Sequence, residues 1–313
     1  MPHVALGTAT LHHLEGGTSS EALLEEAWRV GIRRFDTAPM YGYGRAEEEL
    51  GGFLAGRDGV ETVTTKVGLP PEPDRPLRRT VVRAAGRVLP APVLRRVRGA
   101  RHDADGPREM SSGRFALPAV RASVEESLRR LGGRVDRLLL HEVRPLDVTP
   151  ELVDLLAGWV RQGDVGAVGT ATENRDTAES LARGGELFTV VNMSVGPLSE
   201  PVALPAHVTT RIGHGLLGGG GDHLRRLGQV LATEPDQADR WAAAVAGTEF
   251  AGPRGLADAL LSRGPEVGVT EVLVATRKLG NVARARELAG RPEPLPPAVG
   301  EALDALSGRA RAS

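Results

Sequence analysis

The stretch DTAPMYGYG, residues 36–44, contains an aspartate and the only two tyrosines of the 313-residue chain, Tyr41 and Tyr43. Lysine is equally rare, because the 39 basic residues include only Lys66 and Lys278. A guanidinium stays charged in proteins, whereas the pKa of a compact ammonium shifts readily. Lys66 is therefore a candidate for a chemical role, with chance persistence of a lysine as the alternative.

Four titratable residues are expected at neighbouring strand ends. Asp36, Lys66 and His141 each close a strand-like stretch, and Tyr41 follows Asp36 by five residues. Because a nearby ammonium stabilises a phenolate, we expect Lys66 to lower the pKa of Tyr41 and Asp36 to keep Lys66 charged. His141 would hydrogen-bond a substrate oxygen. Each residue alone has an ordinary structural explanation, but their joint placement favours chemistry.

This set predicts a proton donor for an oxygen that gains negative charge, as a carbonyl oxygen does when its carbon accepts hydride. No side chain supplies hydride, so a nicotinamide cofactor would have to.

Predicted strands and helices alternate along the chain and must position these residues. The predicted strands are residues 3–9, 32–38, 61–68, 135–143, 165–172, 187–195, 208–214 and 270–277. Eight βα units predict an α/β fold, a closed (β/α)₈ TIM barrel with its active site at the carboxyl ends of the strands. We expect one domain over residues 1–313. We also expect a capping box, Thr18 with Glu21, at the start of the first helix.

A long insert interrupts the alternation at residues 70–114, after the third strand, and it holds eleven arginines against five acidic residues. Loops of this length are usually functional, so we expect it over the carboxyl-end mouth of the barrel, as a substrate lid or as a solvated helical segment.

Composition excludes several classes of function. There is no cysteine, hence no disulfide, thiolate nucleophile or thiolate metal site. The net charge of −1 does not indicate a nucleic-acid partner or an anionic membrane. We read no signal peptide and no membrane span, and we expect a cytoplasmic protein.

The sequence FDTAPMYGYGRAEEELGGFL resembles the aldo-keto reductase signature around its catalytic aspartate and tyrosine, and TTKVG and VDRLLLHE resemble the segments with its lysine and histidine. The resemblance covers nearly the whole chain and, through YGYG and the insert, is closest to the sugar or aldose dehydrogenase branch. It implies Asp36, Tyr41, Lys66 and His141 as the catalytic residues, with Tyr41 as general acid. It implies NADP (NADPH) as cofactor and a carbonyl or sugar-like substrate.

The resemblance also implies a cofactor site along the later strand ends. Its expected residues are Thr172, Asn192, Thr209, His214, Gly215, Leu216, Thr276, Arg277, Lys278 and Asn281. Of these, Arg277 and Lys278 would bind the adenosine 2′-phosphate, and GHGLLGG resembles the pyrophosphate loop.

Four features depart from the family. Ala171 and Thr172 stand where Ser and Asn usually hold the nicotinamide amide, Asn192 replaces Gln, and Thr209 replaces the aromatic residue under the ring. We also expect a barrel without the family's usual N-terminal hairpin on its floor.

Other readings of the same residues stay open. A non-redox barrel that keeps the four residues but has a drifted nicotinamide site is the main alternative, and a Schiff-base lyase using Lys66 is another. Residues 213–218 fit G-x-G-x-x-G, but no helix is predicted directly after them. His12 and His13 are adjacent, so they would point to opposite sides of a strand, and we expect no metal site.

Overall fold

The computed structural model describes residues 2–14, 17–70, 114–172 and 174–312, and its eight strands form a closed barrel. The strands are β1 (His3–Gly7), β2 (Arg34–Asp36), β3 (Thr62–Val67), β4 (Arg137–His141), β5 (Ala167–Ala171), β6 (Phe188–Ser194), β7 (Thr210–His214) and β8 (Glu271–Val274). Each strand pairs in parallel with the next, and β8 pairs with β1. The predicted (β/α)₈ barrel is confirmed.

Helices separate the strands and cover the outside of the barrel. They are α1 (Ser20–Arg29), α2 (Arg45–Leu54), α3 (Leu117–Arg130), α4 (Pro150–Gln162), α5 (Asn174–Gly184), α6 (Asp222–Thr233), α7 (Pro235–Val245), α8 (Gly255–Leu261), α9 (Val282–Ala289) and α10 (Pro297–Ala312). The insert predicted at 70–114 has residues 71–113 outside the described part of the chain, and its expected place over the mouth stays a prediction.

Two details of the helices differ from the sequence expectation. The first helix is capped by Ser19, whose hydroxyl accepts a hydrogen bond from the Ala22 N–H at 3.1 Å, so the predicted capping box of Thr18 and Glu21 is wrong. The second difference is α10, since no element was predicted after residue 290. Apolar residues of α10 at helical spacing join α6 and α8 in a second core beside the barrel.

The barrel interior is built from side chains on alternate strand positions, since successive residues of a strand point to opposite faces. Leu139, Val190 and Ile212 form an apolar layer between the two ends. Below it, the Glu271 carboxylate on β8 contacts Arg34 Nη1 on β2 at 2.9 Å and Arg137 Nη1 on β4 at 3.0 Å. Strands β8 and β4 lie on opposite walls, so this ion triad crosses the interior at the amino ends of the strands. It closes the floor of the barrel and leaves the other rim for chemistry.

No helix within the described ranges combines the length and apolar character that a membrane crossing needs.

The floor triad gives a stability prediction. Glu271→Gln leaves two largely buried guanidinium groups without their shared counter-charge, so we expect a loss of about 3 kcal/mol in the free energy of unfolding, at the low end for breaking a buried ion pair. Urea unfolding followed by circular dichroism measures it. Glu61→Gln is the control, because Glu61 pairs with the same Arg34 but is half exposed, and it should change stability by less than about 1 kcal/mol. Equal losses in the two variants would contradict the role given to the triad.

Candidate active site

The carboxyl ends of β2, β3 and β4 bring together the predicted catalytic residues. Lys66 lies at the centre: its Nζ donates hydrogen bonds to Asp36 Oδ1, to the Thr37 carbonyl at 2.9 Å and to Tyr41 Oη at 3.3 Å. Lys66 is 3 % exposed and Asp36 is 2 % exposed. All three ammonium hydrogens therefore have acceptors in a site closed to water, and the tyrosine hydroxyl is one of them.

The turn YGYG explains why the two tyrosines occur together. Gly42, Tyr43 and Gly44 all have left-handed backbones, with φ of 57°, 61° and 89°. A Cβ added to Gly42 would lie 1.7 Å from the His12 ring, and one added to Gly44 would lie 2.8 Å from the Arg130 guanidinium. Glycine is required at both positions, and the turn directs Tyr41 inward while Tyr43 stays 38 % exposed.

Electrostatics keep Tyr41 protonated and Lys66 charged. Burial raises the pKa of Tyr41 above its ordinary value, and the Lys66 ammonium opposes this rise without cancelling it. Lys66 lowers the pKa of Tyr41, as predicted, but the larger effect of burial was not foreseen, because the sequence does not show how deeply Tyr41 is buried. Burial alone would lower the pKa of Lys66, but the Asp36 carboxylate outweighs it and the pKa is raised. A lysine held as an ammonium is a poor Schiff-base nucleophile.

His141 completes the set as a neutral imidazole. Its ring lies edge-to-face with Tyr41, with ring centroids 6.2 Å apart. Burial, reinforced by the charges of Lys66 and Arg114, holds the pKa of His141 well below its usual range. Within the described residues, His141 Nδ1 has no hydrogen-bond partner. A neutral imidazole beside the phenol is suited to hydrogen-bond an uncharged oxygen without competing as an acid.

Asn192 and His214 extend the site across the barrel mouth. Asn192 Nδ2 on β6 donates to Asp36 Oδ2 at 3.3 Å, and His214 Nδ1 on β7 lies 2.7 Å from Asn192 Oδ1. Burial lowers the pKa of His214 to about 4, with a further contribution from Lys66, so this ring is neutral as well. Both residues reach the predicted rim. Asn192, however, uses its amide nitrogen to bind Asp36, although it was expected at the nicotinamide.

Two residues predicted at the nicotinamide lie differently. Thr209 precedes β7, its N–H bonds the Thr189 carbonyl near the start of β6, and its side chain is exposed. Its expected place under the ring is wrong, because it sits at the opposite end of the strand from His214. The Thr172 hydroxyl reaches the rim but pairs with Thr177 Oγ1 at 2.8 Å.

The loops after β7 and β8 contain the remaining predicted cofactor residues. Gly215 has a φ of 73° and opens a glycine-rich turn that also includes Leu216 and leads to α6. After β8, the Thr276 hydroxyl accepts from the Lys278 N–H at 3.2 Å and from Asn281 Nδ2 at 3.4 Å. Arg277 lies in the same exposed loop, and the 3-10 turn Leu279–Asn281 separates this loop from α9.

Sequence reasoning missed two residues of this region. Asn174 bonds the backbone of Ser194 through both its amide oxygen and its amide nitrogen and so ties the end of β6 to α5. Its position in GTATEN was a usable signal. Arg254 donates to Asn281 Oδ1 at 3.3 Å, and nothing in the sequence connects residues so far apart.

A separate cavity of about 300 Å³ lies beside α10, with Leu216, Arg263, Asp304 and Arg311 among its lining residues. It contains none of the four catalytic candidates, so it is not the site of their chemistry. Among the described residues, no group of His, Asp and Glu side chains has the arrangement of a metal site.

Comparison with known sequences finds a matching family and several relatives. Residues 3–202 match the sequence profile of the Aldo/keto reductase family. Pyridoxal 4-dehydrogenase of Microbacterium luteolum is 37% identical over 145 residues, 45% of this chain and 39% of the relative. D-threo-aldose 1-dehydrogenase of a Pseudomonas species is 32% identical over 202 residues, 61% of this chain and 56% of the relative. The matched region is thus less than two thirds of either relative's own length.

Solved structures show the same fold. Glycerol dehydrogenase AKR11B4 from Gluconobacter oxydans superposes with a TM-score of 0.65 at 21% identity, covering 98% of this chain and 91% of its own. The holo form of aldo-keto reductase AKR11C1 from Bacillus halodurans gives a TM-score of 0.65 at 17% identity, covering 97% and 91%.

The ionisation of Tyr41 can be measured directly. Tyr43→Phe leaves Tyr41 as the only tyrosine, so the near-ultraviolet absorbance of tyrosinate reports on it alone. Because burial dominates, we expect a titration midpoint above the ordinary value near 10, and a still higher one in Lys66→Met, which lacks the opposing ammonium. A midpoint clearly below the ordinary value would contradict this account of the site.

Proposed function

This chain belongs to the aldo/keto reductase family, and we propose that this oxidoreductase transfers hydride between NADP and a carbonyl compound with Tyr41 as general acid and base. The observation that carries the proposal is the contact of the Lys66 ammonium with both the Asp36 carboxylate and the Tyr41 hydroxyl. It supplies a protonated phenol beside a fixed positive charge, which is the arrangement needed to protonate an oxygen as it becomes an alkoxide.

When bound, NADPH supplies the hydride for the carbonyl carbon. Tyr41 Oη gives its proton to the carbonyl oxygen, which becomes the hydroxyl of the alcohol. The Lys66 ammonium stabilises the phenolate that remains, and Asp36 keeps that ammonium charged. Neutral His141 orients the substrate oxygen through a ring N–H. In the reverse direction the Tyr41 phenolate accepts the proton of an alcohol or of an aldose hydroxyl.

The residues present fit the phosphate end of the cofactor better than its nicotinamide end. The turn that starts at Gly215 lets backbone approach a pyrophosphate closely. The loop after β8 carries Arg277 and Lys278 just before the 3-10 turn Leu279–Asn281 that leads into α9, and the N–H groups at a helix start favour an anion. At the other end, Asn192 and Thr172 already use polar atoms within the protein. This supports the alternative of a non-redox enzyme with a drifted nicotinamide site, which oxidation of NADPH by a carbonyl compound would exclude.

A hydroxylated aldehyde or an aldose is the substrate class we propose, in line with the names of the two relatives, one acting on pyridoxal and the other on an aldose.

Exchange of each tyrosine tests the mechanism. Tyr41→Phe removes the acid, and general acid catalysis contributes at least about a hundredfold, so we expect carbonyl reduction to fall by that factor. NADPH binding, followed by cofactor fluorescence, should change by no more than a few-fold. Tyr43→Phe is the matched control and should keep most of the activity. Activity lost in Tyr43→Phe but kept in Tyr41→Phe would show that Tyr43, and not Tyr41, is the acid.

Cofactor preference is tested at Arg277. A hydrogen bond to a charged group is worth about 1.5–3 kcal/mol, so Arg277→Ala should weaken NADPH binding roughly ten- to a hundredfold and leave NADH binding nearly unchanged. Arg309→Ala removes the same charge from an exposed position of α10, where Arg309 pairs with Glu234, and serves as the control. Equal losses for the two cofactors would show that Arg277 does not contact the 2′-phosphate.

A further inference from the structure

The ends of β6 and β7 carry a hydrogen-bond chain that runs from His214 through Asn192 to Asp36. We propose that Asn192 and His214 are positioning residues of the proton donor, which orient the Asp36 carboxylate so that it holds Lys66 against Tyr41. The expected loss of carbonyl reduction rests on the proposed function, but the ionisation of Tyr41 tests the inference without any cofactor.

The direction of each hydrogen bond follows from chemistry. An ionised carboxylate only accepts, so Asn192 must turn its NH₂ group toward Asp36 Oδ2. Asn192 Oδ1 then faces His214 Nδ1 at 2.7 Å, so Nδ1 must carry the hydrogen. Because this imidazole is neutral, its lone pair is on Nε2. The contacts thus fix both the orientation of the Asn192 amide and the tautomer of His214.

The hydrogen-bond chain completes the set of donors to the buried Asp36 carboxylate. Lys66 occupies Asp36 Oδ1 and Asn192 occupies Oδ2, so each carboxylate oxygen has a donor. Asn192 is 3 % exposed, and its contact reaches Asp36 from the opposite wall of the barrel. A buried carboxylate that loses one donor must find another, and the nearest one is the Lys66 ammonium. We therefore expect removal of the Asn192 amide to draw Lys66 toward Asp36 and away from Tyr41.

The consequence for Tyr41 has a definite sign. With the ammonium drawn away, its phenolate is less stabilised, so the pKa of Tyr41 rises further. The charged groups that also act on this set are Glu271, Glu142 and Arg114, and the neutral rings of His141 and His214 face it. Every variant below retains Glu271, Glu142, Arg114 and His141. A shift in the pKa of Tyr41 therefore reports on the hydrogen-bond chain itself.

The test uses Tyr43→Phe as the background, with alkaline titration of Tyr41 in the cofactor-free protein and circular dichroism to follow the fold. Asn192→Ala should raise the titration midpoint by about half a pH unit or more. Carbonyl reduction should fall about tenfold or more, since misplaced groups lose rate steeply, while NADPH binding stays within a few-fold. Ser194→Ala removes a hydroxyl from the same strand end that pairs with Ser199 rather than Asp36, and it should shift nothing.

His214 provides a second, independent pair of variants. His214→Phe removes the donor to Asn192 and should raise the Tyr41 midpoint in the same direction. His214→Asn restores a donor at nearly the position of Nδ1 and should return the midpoint toward that of the background. Because the two residues form one chain, the Asn192→Ala and His214→Phe shifts should not add.

An unchanged Tyr41 midpoint in both Asn192→Ala and His214→Phe would overturn the inference. So would weaker NADPH binding in Asn192→Ala with an unaltered titration, since that result assigns the amide to the cofactor. Failure of the proposed function alone would give a different result. The wild-type protein would bind no NADPH, while the titration shifts of the variants would remain.

Discussion

The buried ion pair of Lys66 and Asp36 is the interaction on which the rest of the site depends. Removing two charges from water costs several kcal/mol per ion, so the pair persists only because the surrounding groups satisfy it. The Thr37 carbonyl and the Tyr41 hydroxyl accept the remaining ammonium hydrogens, and Asn192 serves the second carboxylate oxygen. The same contacts that make the charges tolerable hold a phenol beside a cation, so stability and chemistry have one geometric requirement.

The barrel meets that requirement through the two-residue period of its strands. Arg34 lies two positions before Asp36, so both point inward, and on β4 Arg137 shares the inward face with His141. One end of the interior therefore carries the Glu271 triad and the other carries the proposed proton donor, with an apolar layer between them. A change of register in either strand would move a charge to the outer face, which ties the barrel closure to the active site.

Much of this arrangement could be predicted from the sequence, because it depends on local patterns. The eight strands and the placement of Asp36, Lys66 and His141 at one rim follow from alternation and from strand ends, whereas the choice of Tyr41 over Tyr43 as the expected acid came from the family resemblance. Thr209 was misplaced because its role was taken from the family resemblance, although the predicted strand 208–214 already put it at the amino end. Helix α10 was overlooked although Val299, Leu303 and Leu306 have helical spacing. The contact of Asn192 with Asp36 and the rise in the Tyr41 pKa depend on cross-barrel distance and burial, which no local pattern contains.

The central claim is that this rim protonates a carbonyl oxygen while its carbon receives hydride. The most direct measurement is a single turnover of excess protein with NADPH deuterated at the transferable C4 position, offered aldehydes, ketones and aldoses, with the products analysed by mass spectrometry. The account predicts oxidation of the cofactor and one deuterium on the carbon of the new alcohol. Bound NADPH that yields no deuterated product from any of these carbonyl compounds, or no binding of NADPH at all, would contradict it.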